Sequence, residues 1–504
     1  MDDSPSSSST VRCTAGDVRD GRSWRDLAAV AIPAAVCFAA CLVDIDGRQL
    51  WRDEHCAWWA ATLPAADLWR LLGHVDAVLA PYYLILRGWI GIAGDSAQAL
   101  RLPSAAAMSL AAALLVLLGR RLYRLEVGVV AGLLFALLPS VSRYGQEARP
   151  YAFVVAAVVA ATLLLLRALD KPASVRRWIA YALGVAAIGF FHLVSLLVLF
   201  AHATLLLESG SQSWRPGPRK GWWRWALAAA GGLALVSPFV VLGSMQSAQI
   251  EWIRFARHDP FAYPSILFRS SAVAALVLVL AAPAVGGPRR AVFALATWAL
   301  LPPLLLLATF DQLHLFFPRY LLFTLPALAL LAADTVTKVG AWMRPHGLVS
   351  ALVLAVLLFA GLDAHRALRR SVNPGEKDLR RVAAHLAAGL RSGDGIVVGG
   401  RRGDPSLVRL GLAYELRGRE APIDVFVAES ARELGEFQPR ECPQPVVCLS
   451  SRTTRLWVVA DHEKDDVFDE MPERKAVLLR TRFRVTKQWP AAGTRLLLLT
   501  RSDR

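Results

Sequence analysis

Apolar runs separated by short charged loops fill the first 360 positions, at about 27–43, 102–118, 127–142, 151–166, 178–191, 193–207, 226–243, 267–285, 291–310, 318–336 and 347–362. A helix crosses an apolar bilayer core with roughly 20 residues, so these runs predict transmembrane spans, several of them short. One further run, APYYLILRGWIGIAG at 80–94, carries Arg87 at its middle.

The basic residues decide how that run lies. If 80–94 does not cross, the loops on one side hold Arg12, Arg19, Arg22 and Arg25, then Arg120, Arg121 and Arg124, then Arg167, Lys171, Arg176 and Arg177. Arg215, Arg219, Lys220 and Arg224, then Arg289 and Arg290, and finally Lys338 and Arg344 continue the set, 19 of the 30 cations before Leu362. If it did cross, every later basic loop would face outward, against the inside bias of Lys and Arg. The run therefore reads as a helix lying in the interface, with Trp89 and the tyrosines at headgroup depth. Eleven spans follow, with the N-terminus cytoplasmic and the C-terminus outside. Residues 1–26, polar and Ser-rich without a cleavable signal, read as a disordered cytoplasmic tail, and 27–362 as the membrane domain.

With 55% hydrophobic and 19% charged residues in 504, a polytopic membrane protein is the only class that accommodates the apolar surface. The net charge of +16 divides into 30 Lys+Arg against 20 Asp+Glu before Leu362 and 26 against 20 after it. That spread reads as a topology signal and argues against nucleic acid as a partner. Cys13, Cys37, Cys41 and Cys56 show no metal-ligand spacing, whereas Cys442 and Cys448 could pair outside the cytoplasm.

After Asp363 the pattern changes. GEKDLRRVAAHLAAGLRSGDGIVVGG predicts an amphipathic helix, a turn and a buried strand, and APIDVFVA, TRLWVVA and GTRLLLLTR predict further strands. Residues 363–504 thus read as a soluble extracytoplasmic α/β domain. VGGRRGD holds closely spaced glycines without a dinucleotide fingerprint.

Polar chemistry gathers on the outer face. LWRDEHCAWWA at 50–60 sets Asp53 and Glu54 among tryptophans, and SRYGQEARPY at 142–151 crowds charges between two apolar helices. Charges at membrane depth cost several kcal/mol in lipid and mark function by default. His192 ends a helix, where it can cap or contact a ligand; His202, inside an apolar span, reads as a packed core residue; Arg319 sits in FFPRYLLFTLPAL, where snorkelling is the plain alternative. His74 and Asp76, in LGHVDAVLAPYY, stand just before the interfacial run and either can project toward Asp53.

The ordered set WRDE, HVDAVLAPYYLILRGWIGIAGDSAQALRLPSA, LLGRRLY, FALLPSVSRYGQEARPYAFVVA, FFHLVSLLVLFAH and FFPRYLLFTLPALAL resembles the type C membrane glycosyltransferases. It is most similar to the protein-mannosyltransferase and lipid A aminoarabinose-transferase superfamily, in an actinobacterial form, over roughly 45–335. The resemblance implies an α-helical polytopic membrane protein of about 11 transmembrane helices, with juxtamembrane helices in the first external loop. It also implies transfer of a sugar from a polyprenyl-phosphate donor to an envelope glycan, lipid or protein acceptor outside the plasma membrane, typically with inversion.

On that reading Asp53 is the acceptor-side base and Glu54 supports it or helps hold a metal. Glu147 binds sugar hydroxyls or is a second acid, Arg149 and Arg319 hold the phosphate, and His74, Asp76, Tyr151, His192 and Tyr320 complete the substrate site. The lipid tail lies between helices near 226–336. Clustered oxygens suit a divalent cation, Mg or Mn, although no compact metal motif is present. Relatives often carry an HPPLYY-like stretch where this chain has VLAPYY, which weakens the assignment of His74. A transporter or flippase for lipid-linked glycans is the alternative, against which stand the one-sided charges and the absence of a sequence repeat.

Overall fold

The computed structural model describes residues 18–207, 218–255, 259–282, 289–343, 345, 347–372, 375–399, 407–461, 466–469 and 471–502. The expected tail lies outside them up to residue 17, as do residues 400–404 of the glycine-rich VGGRRGD stretch. From Val18 the chain is already helical, so the helix starts ahead of its apolar part, and Asp26 pairs with Arg120 at 2.9 Å.

Helices α1 (Val18–Leu42), α5 (Ala97–Leu122), α6 (Leu125–Ala136), α7 (Pro139–Gly145), α8 (Tyr151–Asp170) and α9 (Val175–Phe191) build the first half of the membrane bundle. The connection between α1 and α5 folds as α2 (Arg52–Thr62), α3 (Ala65–His74) and α4 (Ala80–Ala93). The second half contains α10 (Val198–Thr204), α11 (Pro218–Met245), α12 (Tyr263–Phe268), α13 (Ser271–Ala281), α14 (Arg289–Ala308), α15 (Phe310–Leu313), α16 (Leu325–Trp342) and α17 (Leu348–Ala367).

Among the described residues seven helical stretches are long and apolar enough to cross a membrane, or eight if α6 and α7, bent by 66°, form one span. The bend falls at Pro139, which lacks the N–H needed to continue the ladder. The other three segments expected as spans form shorter pieces. These are α9 of 17 residues, a 3-10 turn at Leu193–Leu197 leading into α10, and the α12–α13 pair. The 80–94 run is the 14-residue α4, about 21 Å long and short of a roughly 30 Å apolar core.

Small residues let the helices approach closely. A Cβ on Gly128 would lie 2.3 Å from the Val116 carbonyl oxygen, so α5 and α6 meet backbone to backbone there. His202 is fully buried and satisfied by Thr162 and Tyr181, both at 3.0 Å, as a core residue would be.

The C-terminal part is α/β. Strands β1 (Gly395–Val398), β2 (Ile423–Asp424), β5 (Arg455–Asp461), β6 (Phe483–Ala491) and β7 (Thr494–Arg501) form one sheet in the order β2-β1-β5-β7-β6, while β3 (Val427–Glu429) pairs with β4 (Arg440–Glu441). β1 is parallel to β2 and β5; β7 is antiparallel to both its neighbours. Helices α18 (Leu379–Gly389) and α19 (Val408–Glu415) bury one face around Trp457, and α22 (Glu473–Arg482) buries the other around Leu456 and Leu479. The short α20 (Ala431–Leu434) and α21 (Pro445–Cys448) lie in the connections, and Cys442 and Cys448 are disulfide-bonded. Strand β6, exposed along most of its length, carries too little apolar alternation to be read from sequence.

This domain docks on the first loop. The rings of His55 and Trp58 on α2 meet Tyr414 of α19 at 5.8 and 5.1 Å, and Arg432 of α20 pairs with Asp67 of α3. Gln49 donates to the Lys377 carbonyl oxygen at 2.7 Å, and Arg417 pairs with Asp95 at 3.3 Å.

Candidate active site

Neighbouring residues on a helix point about 100° apart, and α2 uses this to send its two acids in different directions. Glu54 turns inward and is fully buried. It accepts from Arg101 Nε at 2.8 Å and Nη2 at 2.7 Å, from the Ala148 N–H at 2.9 Å and from the Trp51 N–H at 3.2 Å, so both oxygens are saturated. Arg101 in turn donates to the carbonyl oxygens of Ile45, Arg48 and Gln49. Burial pushes Glu54 up, but the charge and hydrogen bonds of Arg101, with Arg48 and the Ala148 amide, pull it down to about 2.

Asp53 faces the opposite way, into a cluster drawn from distant parts of the chain. Its side chain keeps 12% of its exposure and pairs with Arg52 Nε at 3.1 Å and Arg319 Nη1 at 3.2 Å. Arg149 Nη1 lies 3.5 Å from the Asp53 carbonyl oxygen. Burial raises the Asp53 carboxyl; Arg319, Arg149 and Arg52 together outweigh it and hold it below the usual range.

Arg319 occupies an aromatic cage, its guanidinium 4.8 Å from the ring centre of Phe317, 5.4 Å from Trp51 and 5.8 Å from both Tyr151 and Tyr320. His192 closes the wall, 4.7 Å from the Tyr320 ring and 6.0 Å from that of Tyr151. Asp76, in a left-handed turn at φ 57°, accepts from Tyr83 at 2.6 Å. Burial raises its carboxyl, with Arg149 and the Tyr83 hydrogen bond opposing. The turn is tied to the segment after α11: Gln249 accepts from the Asp76 N–H at 3.2 Å and Gln246 from the Ala77 N–H at 2.9 Å.

Glu147 is fully buried, 2.9 Å from Arg143 Nη1 in an ion pair without hydrogen-bond alignment. Burial raises it, against Arg143. Glu147 Oε1 and Oε2, Arg149 Nε, Arg319 Nε, His192 Nδ1 and Ser195 Oγ are all buried without a hydrogen-bond partner among the described residues. Native interiors rarely leave such groups unmet, so their concentration around one cluster is the mark of a ligand site.

Nearly the full chain superposes on solved structures. ArnT from Cupriavidus metallidurans in the apo state superposes with a TM-score of 0.58 at 13% identity, over 95% of this chain and 98% of that one. The same protein bound to undecaprenyl phosphate gives 0.54 at 13% identity over the same shares. The Archaeoglobus fulgidus oligosaccharyltransferase in the apo form gives 0.51 at 11%, over 95% and 75%. The chain has the type C membrane glycosyltransferase fold. A family model described as dolichyl-phosphate-mannose-protein mannosyltransferase matches residues 79–242 within it. No curated protein sequence matches the chain.

Within this glycosyltransferase fold, Asp53, Arg149, Tyr151, Arg319, Tyr320, His192 and Asp76 come together, with Glu147 behind Arg143. His74 does not join them. It ends α3 exposed, and a Cβ on Gly435 would come within 2.8 Å of its Nδ1, so the docked C-terminal domain occupies its side. Among the described residues no three His, Cys, Asp or Glu side chains converge to hold a metal ion, and Glu54 has no free lone pair to contribute. The described residues therefore assemble no all-protein cage for a divalent cation.

Arg101 was not singled out from sequence, although an arginine in the first turns of an apolar helix is the relevant signal. Ser195 gave no comparable signal, since an isolated serine at such a position is ordinary, and Trp51 was legible only as one of the tryptophans flanking the two acids.

Proposed function

We propose that the chain is an integral membrane glycosyltransferase. It moves a sugar from a polyprenyl-phosphate donor to an envelope glycan, lipid or protein acceptor, on the outer side of the plasma membrane and with inversion. The observation that carries this reading is a partly accessible carboxylate, Asp53, held between arginines beside unmet buried polar atoms.

The donor phosphate enters between Arg149 and Arg319, which bind it in place of Asp53. Released from its arginines, Asp53 returns toward ordinary carboxylate basicity and hydrogen-bonds the acceptor hydroxyl. The hydroxyl oxygen attacks the anomeric carbon from the face opposite the phosphate. The anomeric C–O bond breaks, the proton passes to Asp53, and the two arginines stabilise the departing phosphate. Tyr151, Tyr320 and His192 wall the sugar, Asp76 orients Arg149, and Glu147 meets sugar hydroxyls. Glu54 is a positioning residue that locks α2 to α5.

The disulfide and the distribution of arginines support a cytoplasmic N-terminus and an extracytoplasmic C-terminal domain. The test is Asp53→Asn in isolated membranes. Transfer of labelled sugar from polyprenyl phosphate should fall by about 10²–10⁴-fold at normal expression. Undiminished transfer removes Asp53 as the base. Movement of the lipid-linked sugar across vesicles with no new glycosidic bond would replace the proposal with a transporter.

A further inference from the structure

The C-terminal domain contains a cavity of about 840 Å³ outside the cluster around Asp53. It opens at the carboxyl end of β1, where it is bounded by the starts of α19 and α22 and by the segment at 436–445, which runs into the Cys442–Cys448 disulfide loop. Crevices at the carboxyl ends of parallel strands are where open α/β sheets place ligands, and this volume falls in the range of small-molecule sites.

Among the described residues its lining is charged and nearly balanced, with four Lys or Arg and three Glu. Glu441 accepts from Arg409 at 2.6 Å and from Lys475 at 2.7 Å, and Arg409 also holds Asp424 at 2.7 Å, which fixes one wall. Arg474 and Glu473, adjacent and exposed at the start of α22, offer a donor and an acceptor side by side. Phe437 and four prolines supply flat apolar faces. A free anion would meet the glutamates and a cation the arginines. An uncharged ligand with many hydroxyls and apolar C–H faces satisfies all of these groups.

Phe437 also packs against Trp59 of α2 at 5.8 Å between ring centres. Trp59 is six residues from Asp53 on the same helix, an axial rise of about 9 Å. The cavity therefore borders the helix that carries the proposed base.

We propose that this cavity is a carbohydrate-binding site that holds the acceptor glycan beside the transfer site. Its role as acceptor site rests on the transferase reading; its binding of carbohydrate does not.

The experiment uses the full-length protein in nanodiscs, with mannotriose and, separately, N-acetylchitotriose as probes, read by saturation-transfer NMR titration. At least one probe should bind saturably in the millimolar range. Arg474→Glu, a surface change that leaves the core intact, should weaken binding about tenfold, the loss of one charge-assisted hydrogen bond. Phe437→Ala should weaken it as well, and Asp53→Asn should bind as wild type. In the transfer assay Arg474→Glu should raise the acceptor KM and leave the donor KM and kcat unchanged. The site is refuted if neither probe binds saturably, or if binding is indifferent to both cavity substitutions. Binding that follows the cavity variants without any transfer by wild type would sink the transferase reading and leave the carbohydrate site standing.

Discussion

Replacing Glu54 by Gln changes one atom and should be far more damaging to folding than the same change at its neighbour. Glu54 is surrounded by four donors: two Arg101 nitrogens and the backbone N–H groups of Trp51 and Ala148, at 2.7–3.2 Å. A glutamine offers one acceptor oxygen, so either flip of its amide sets an NH₂ against two donors. It also leaves the guanidinium of Arg101, with a side chain only 1% exposed, without its counter-charge. Losing two charge-assisted hydrogen bonds costs about 3–6 kcal/mol, matching the roughly 3–5 kcal/mol typical when a buried pair is broken. That is a large share of an ordinary folding free energy of about 5–15 kcal/mol. The buried free thiols Cys37, Cys41 and Cys56 supply the assay, because a thiol-reactive fluorophore labels them only on unfolding. Glu54→Gln should melt well below wild type and accumulate poorly, whereas Asp53→Asn, with no comparable shell of donors, should melt near wild type. A Glu54→Gln protein with wild-type melting and transfer would refute the assignment of Glu54 as the lock between α2 and α5.

Three other outcomes follow from the same geometry. Arg319→Lys keeps the charge but loses the planar guanidinium stacked among Phe317, Trp51, Tyr151 and Tyr320; transfer should drop at least about tenfold, and unchanged kinetics would remove Arg319 from the phosphate site. His55, buried at the contact of α2 with Tyr414, is pushed by burial down to about 4 from an ordinary 6.5, with Arg101 also lowering it and Glu54 opposing. The unfolded chain therefore takes up this proton first as pH falls, so the stability of the docked domain should decline between about pH 6.5 and 4. His55→Phe should flatten that slope in the thiol melting assay, and an unaltered slope would exclude His55 as its source. A cysteine placed at exposed Arg474 should react with an impermeant thiol reagent on intact cells while one at Arg120 stays protected; the reverse pattern would invert the topology.

The membrane class, the short helix at 80–94 and the α/β character of the C-terminal part follow from local properties: apolar length and a period of two. Each depends on residues near one another along the chain, and the eleven apolar segments are all at least partly helical. Even here local reading missed β6, a mostly exposed strand held by its pairing with β7. The cluster of Asp53, Arg149 and Arg319 was legible as a set because charges near a membrane must be used or shielded.

Only the tertiary structure separated the surroundings of Asp53 and Glu54. Adjacent carboxylates are chemically alike in sequence; one meets Arg101, 47 positions away, and the other Arg319, 266 positions away. It likewise turned His74 toward Gly435 while bringing Asp76 beside Arg149. Which partner a charge finds depends on how helices rotate and pack, and that packing joins residues whose separation along the chain carries no trace of their contact.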